Sequence, residues 1–217
     1  MSITGFQRAR SDAAKRDRED AILAAAAALG GERGIRQVTL TDIAEAVGLH
    51  KSALLRYFET REQIFLRLTA AGWREWSSAL QASLGTLEHP SPQLVARVLA
   101  VSLADRPMFC DLLAQAPLNL ERNVSLESVR DFKLVTLEEV AAIGASLRRL
   151  LPTLGERETV DIVAAATALC GAFHQMATPG PEIERLYRSD PRLAHAVVDV
   201  EPRVERLLAA MISSLAG

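Results

Sequence analysis

With 217 residues, 49% of them hydrophobic and 24% charged, the chain has the composition of an ordinary folded protein and falls outside the disordered and fibrous classes. Aromatic residues make up only 5%, so the core must come from Ala, Leu, Val and Ile, a mixture that favours helices over sheets. A formal net charge of −2 gives no overall basic signature, and two cysteines, Cys110 and Cys170, are too few for a disulfide framework or a cysteine-based zinc site.

The chain opens on a basic stretch in which Arg8, Arg10, Lys15, Arg16 and Arg18 face only Asp12 and Asp17. This is either a solvated tail or an arm for a polyanion. From Ala21 to the C-terminus apolar residues recur at helical spacing, and sustained period-two alternation is missing, which predicts an all-α fold. Gly30, Gly31 and Gly34 are expected to close a first helix, Gly48 to make a tight turn, and Glu88 to Pro92 to separate an N-terminal part from the rest. Capping spacings at Thr39 and Asp42, Thr60 and Gln63, and Thr153 and Glu156 mark helix starts, because a side-chain oxygen there satisfies an otherwise unpaired backbone N–H. Helices are predicted near 17–30, 40–47, 51–57, 61–84, 92–104, 107–115, 126–150, 155–177, 182–188 and 200–215.

Residues 39–58, with two short helices about Gly48, carry the functional signal. Ile43, Ala44 and Val47 form the inner face of the first helix, Leu49 anchors the turn, and Leu54 and Phe58 bury the second. The second helix then leaves His50, Lys51, Ser52, Ala53, Leu55, Arg56 and Tyr57 to meet a DNA major groove. Ile22 and Ala25 to Ala28, Gly34, the helix from Thr39 to Val47, Gly48-Leu49, and Leu54 to Phe58 followed by Arg61-Glu62 together resemble the DNA-binding domain of the TetR family over about 50 residues.

The resemblance implies an N-terminal three-helix helix-turn-helix domain (1–62) joined by a long helix to a C-terminal helical ligand-binding and dimerisation domain (63–217). It further implies that Thr39, Thr41, Tyr57 and Arg61 contact DNA phosphates. The sequence departs from the family pattern at Leu55, where Tyr is usual, and at His50, Ser52 and Arg61. Leu55 is then expected to touch a thymine methyl, with Lys51 and Arg56 as the main hydrogen-bond donors to bases or phosphates. The alternatives are that Tyr57 only covers the domain core, Arg56 is solvated, and His50 only caps its helix.

Beyond residue 85 the resemblance implies an effector cavity and a dimer interface. Trp73, Trp76, Phe109, Cys110, Leu113, Phe132, Val135, Phe173 and Met176 are candidate cavity walls, with Asn123 and Arg130 as polar anchors for an apolar small molecule. Core packing is the alternative, above all for the two tryptophans. A helix made small on more than one face by Ala164 to Ala168, Gly171 and Ala172, and the stripe Val200, Val204, Leu207, Leu208, Met211 and Leu215, are expected to pair with their symmetry mates in a four-helix bundle. Cys170 and His174 stand four apart but read as packing, with no metal or other cofactor expected.

No apolar run of about 18 residues lacks charges, so no membrane is expected and the expected location is the cytoplasm. The expected function is a ligand-responsive repressor that binds a pseudo-palindromic operator as a homodimer; the alternatives are an activator of the same fold or a helical interaction module. No convergent nucleophile and base point to an enzyme.

Overall fold

The computed structural model describes residues 3–217, and side chains from Ala13 onward apart from Ala194. The described residues form helices α1 (Ile3–Arg33), α2 (Leu40–Ala46), α3 (Lys51–Leu54), α4 (Arg61–Gly85), α5 (Pro92–Ala104), α6 (Pro107–Gln115), α7 (Leu126–Leu150), α8 (Glu156–Ala177), α9 (Pro181–Ser189) and α10 (Val200–Ala216). No strand occurs among them. A 3₁₀ turn, Ile35–Gln37, precedes α2, and a π-helical turn, Ala116–Leu120, extends α6 where Pro117 cannot donate to a regular ladder.

Most predicted boundaries agree, and the departures have local causes. Helix α1 starts at Ile3 rather than 17, since Ala, Arg and Lys sustain a helix there and Lys15 pairs with Glu19 one turn on at 3.8 Å. The arm residues Arg8 and Arg10 fall outside the described side chains, while Lys15, Arg16 and Arg18 are exposed along α1. The helix also runs through Gly30 and Gly31; only Gly34, at φ +81°, ends it. Helix α3 stops at Leu54, because the next amides, of Arg56 and Tyr57, donate to Ala53 and Leu54 in tighter turns. Gly155, not Thr153, is the N-cap of α8, and it supplies no side-chain bond.

Helix α4 joins the two halves. Its first turns pack against α1, and the rest packs against α5, α6 and α7, while α10 lies along α5 and α8. Around α4 the few aromatic residues are gathered: Trp76 is fully buried and its indole N–H donates to Ser102 Oγ at 3.0 Å. Trp73, Trp76 and Phe109 meet with ring centroids 5.5 to 5.9 Å apart. Phe109 reaches this cluster only because Gly72 has no side chain, since a Cβ there would lie 2.5 Å from the Phe109 ring. Replacing Gly72 with Ala should therefore displace Phe109 from the tryptophans and cost about 1–3 kcal/mol in urea unfolding.

Candidate nucleic-acid interface

The interface begins at a tightly closed helix start. Thr39 Oγ1 accepts the Asp42 N–H at 3.2 Å, while Asp42 Oδ2 accepts both the N–H and the hydroxyl of Thr39 at 2.7 Å. The backbone N–H and then the hydroxyl of Thr39 hold the Asp42 carboxyl below its ordinary range. Arg33 adds a looser ion pair to Asp42 at 3.7 Å, tying α1 to α2. Thr39 and Thr41 are exposed at this end of α2.

Gly48, at φ +65°, turns the chain out of α2, and the Leu49 N–H donates to Ala44 O at 2.8 Å. His50 then caps α3: its Nδ1 accepts the Ser52 N–H at 3.4 Å and lies 2.9 Å from Ser52 Oγ. Ile43, Ala44, Leu54 and Phe58 are buried in one cluster with Ile22 and Ala26 of α1. With these residues inside, His50, Lys51, Ser52, Leu55 and Arg56 are exposed on one small convex element, while Ala53 and Tyr57 are half-buried. Leu55 leaves 45% of its surface in solvent.

Arg61 does not face outward with this group. Its guanidinium donates to the carbonyls of Val38 and Ile35, and Nη1 lies 3.0 Å from Glu62. The side chain keeps only 19% of its exposure and stacks 4.8 Å from the Phe65 ring centroid. In place of the free phosphate donor expected from the resemblance, Arg61 is a clamp on the 3₁₀ turn that leads into α2. The fork geometry of the guanidinium, which spans two carbonyls at once, explains why Arg stands here where Lys is usual.

The candidate effector residues are dispersed. Trp73, Trp76, Phe109 and Cys110 fill the aromatic core and line none of three surface clefts among the described residues. Phe132 and Val135 form the floor of a cleft of about 420 Å³ between α4 and α7, together with Leu66 and Ala70. Arg67 and Arg74 rim it on one side, Asp131 and Glu138 on the other. Asn123 lines a smaller cleft of about 230 Å³ near Arg61. Arg130 and Met176 are exposed, Leu113 is half-buried, and Phe173 packs beneath Arg203 at 5.5 Å. A third cleft, of about 870 Å³, lies between the end of α1 and the facing parts of α6 and α8, with Asp111, His174 and Gln175 in its wall.

Two sets of polar contacts between the halves had no signal in the sequence. Asp111 of α6 accepts the Ile35 N–H at 2.9 Å, and Gln175 of α8 donates to its other oxygen at 2.9 Å. Glu59, directly after Phe58, accepts the Ser125 N–H at 2.8 Å and the Ser128 hydroxyl at 3.1 Å. The Ser125 N–H is the main cause of a Glu59 pKa below its ordinary value. Partners more than 60 residues apart leave no spacing pattern to read.

Residues 22–68 match the family described as bacterial regulatory proteins, tetR family, and residues 70–216 match the Tetracyclin repressor-like, C-terminal domain. No curated protein matches the chain. Among solved structures it is similar to the fatty acid degradation regulator FadR from Bacillus halodurans, at 14% identity and TM-score 0.55, over 92% of this chain and 95% of that one. A regulator from Mesorhizobium loti assigned to the TetR family is 16% identical with TM-score 0.55, over 93% and 96%. Another from Rhodococcus sp. is 20% identical with TM-score 0.54, over 93% and 100%.

The clamp geometry separates two roles for Arg61. Arg61→Ala should destabilise the N-terminal helices by about 1–3 kcal/mol in thermal or urea unfolding, through two lost charge-assisted bonds to backbone. Arg61→Lys should restore less than half of that loss, because one ammonium cannot span both carbonyls.

Proposed function

The chain belongs to the TetR family of bacterial regulatory proteins, and on that premise we propose that it is a ligand-responsive repressor that binds a pseudo-palindromic operator as a homodimer in the cytoplasm. The observation that carries the reading is the exposed group His50, Lys51, Ser52, Leu55 and Arg56 on a short helix whose inner side is fully buried. A major groove admits such an element; Lys51 and Arg56 supply hydrogen bonds to base edges or phosphates, and Leu55 supplies apolar contact to a thymine methyl. Ala53 sits at the closest approach, and Thr39, Thr41 and Tyr57 flank the element toward the phosphates. In this reading the DNA-reading unit ends at residue 62 and the regulatory half begins at residue 63.

Homodimerisation is supported by an unpartnered stripe on α8. Val160, Ala164, Ala168, Ala172 and Met176 are all exposed at four-residue spacing, and Leu207 of α10 keeps 42% of its surface in solvent. Small residues let two helices approach closely, so α8 and α10 with their symmetry mates make a four-helix bundle. Among the described residues α8 is also the one helix long and apolar enough to cross a membrane, and burial on one side with a partner helix on the other accounts for that apolarity. Catalysis is no part of this reading.

The effector is a small molecule with an apolar body, which we place in the α4–α7 cleft over Leu66, Ala70, Phe132 and Val135. Of the candidate wall residues, Phe132 and Val135 serve directly, and Trp73 and Trp76 lie behind the cleft on the same helix.

Site selection from random DNA should return a palindrome, with affinity falling steeply as salt rises. Lys51→Ala and Arg56→Ala should each cost about 1–3 kcal/mol or change base preference. A protein that stays monomeric, or whose two variants bind as before, would contradict the reading. For the effector, saturating operator should weaken ligand binding by about 5–150-fold, because linkage makes the coupling reciprocal. Tryptophan fluorescence from Trp73 and Trp76 reads the binding, and Phe132→Ala should alter ligand affinity more than DNA affinity.

A further inference from the structure

Residues 35–60 form the reading head, and α4 is its covalent path to the regulatory half. The link through Glu59 and Thr60 lies outside the helix, so α4, even with Arg61 clamped to the 3₁₀ turn, leaves the angle of the head to α6 and α7 to be set by other contacts. The structure closes that freedom from both ends. We propose that Asp111 and Glu59 are positioning residues for DNA binding, whose carboxylates lock the head to α6 and α7 and so fix the separation of the two heads in the dimer. This rests on the regulator reading given above.

At the entry to the head, Asp111 is 92% withdrawn from solvent, with 8% of its surface left. Among the described residues no cation lies within ion-pair distance of it; its two oxygens are divided between the Ile35 N–H of the head and Gln175 Nε2 of α8, both at 2.9 Å. A buried carboxylate is a poor choice for stability alone, since a neutral acceptor would serve one amide at a lower desolvation cost. What it provides is a strong, directional bond joining three elements. Gly34, at φ +81°, turns the Ile35 N–H toward α6, and Arg61 holds the Ile35 and Val38 carbonyls from the opposite side. The 3₁₀ turn that feeds α2 is therefore gripped by α6 through its amide and by α4 through its carbonyls.

At the exit, Glu59 follows the last buried residue of the head, Phe58, without a spacer. Its carboxylate accepts the first N–H of the α7 cap region, from Ser125, and the Ser128 hydroxyl. Gln63 completes a ring, accepting the Glu59 N–H at 2.7 Å and donating to Ser128 Oγ at 2.9 Å. Gln63 and Ser128 are also in the wall of the α4–α7 cleft. A molecule that spreads α4 from α7 must stretch this ring, and movement of α6 against α8 must disturb Asp111. Regulatory motion thus reaches the head through two carboxylates as well as through the tilt of α4.

The test starts from the operator selected by the wild-type protein. Fluorescence anisotropy gives the Kd for that operator and for versions with one base pair added or removed between half-sites. The wild type should discriminate by about tenfold or more; Asp111→Ala and Glu59→Ala should each fall below about threefold, and the double variant should bind all spacings alike. Affinity for a single half-site should stay within about twofold, since the reading surface is untouched. Asp111→Asn keeps one acceptor for Ile35 and should lie between. A purely structural role would weaken all DNA in parallel and leave the spacing ratio intact. That ratio, retained in variants that remain folded dimers by circular dichroism and sedimentation, overturns the proposal. Should Asp111→Ala fail to fold, Asp111→Asn and the replacement of the exposed Glu59 in Glu59→Ala decide by the same ratio. A wild type that selects no palindrome defeats the regulator reading itself, whereas a selected palindrome with unchanged discrimination in the variants defeats only the lock.

Discussion

A helix of four residues has no stability of its own, and the molecule depends on how α3 is nevertheless held in one place. Nucleating a single turn fixes several dihedral angles for one hydrogen bond, so α3 exists only because Leu54 and Phe58 are buried with Ile43, Ala44, Ile22 and Ala26. Local devices set its ends: the Gly48 turn, the His50 cap and the tight turns at Arg56 and Tyr57. Once its inner side is committed to the core, the exposed side chains have no choice of direction. The chemistry of the reading surface is thus a consequence of packing behind it.

The same logic of commitment runs through α4. Its N-terminal turn clamps the head through Arg61, its middle carries the Trp73 and Trp76 cluster, and its outer side floors the cleft against α7. Close-packed side chains of this kind transmit displacement rather than absorb it. Gly72 and Gly171 mark where close approach matters most: Phe109 occupies the space over Gly72, and a Cβ on Gly171 would lie 3.1 Å from the Ala114 backbone nitrogen. Helix α8 is therefore pressed against α6 on one side while its alanine stripe remains open on the other.

Polar contacts between the halves are few and specific. Burial of the Asp111 carboxylate and the placement of Glu59 at the start of α7 use charge where hydrophobic packing would give adhesion without direction. The bidentate pair of Arg106 with Glu75, at 2.7 and 2.8 Å, fixes the start of α6 beside α4 in the same manner. Because both partners are partly solvated, its contribution is directional more than energetic.

The helix-turn-helix was legible in the sequence because its determinants are local. Helical spacing, a Thr cap three residues before Asp42, a glycine where φ must be positive, and buried residues at fixed offsets all lie within 20 positions. The exposure of Lys51, Leu55 and Arg56 followed from that pattern. By contrast, the family resemblance implies a phosphate contact for Arg61, and only the fold turns its guanidinium onto the Ile35 and Val38 carbonyls. The wall of the effector site was equally out of reach: aromatic and apolar residues at helical spacing suit a core and a cavity alike, and the fold decided between them by packing Trp73, Trp76 and Phe109 together while leaving Phe132 and Val135 beside open space. Asp111 and Glu59 gave no signal at all, because their partners stand 76 and 66 residues away and a carboxylate's role depends on which amide the chain brings to it. The sequence by itself determined which segments are helices and which short helix faces outward, since those are matters of neighbouring residues; the tertiary structure alone decided which polar groups meet across the two halves, since that depends on distances the chain sets only when it closes.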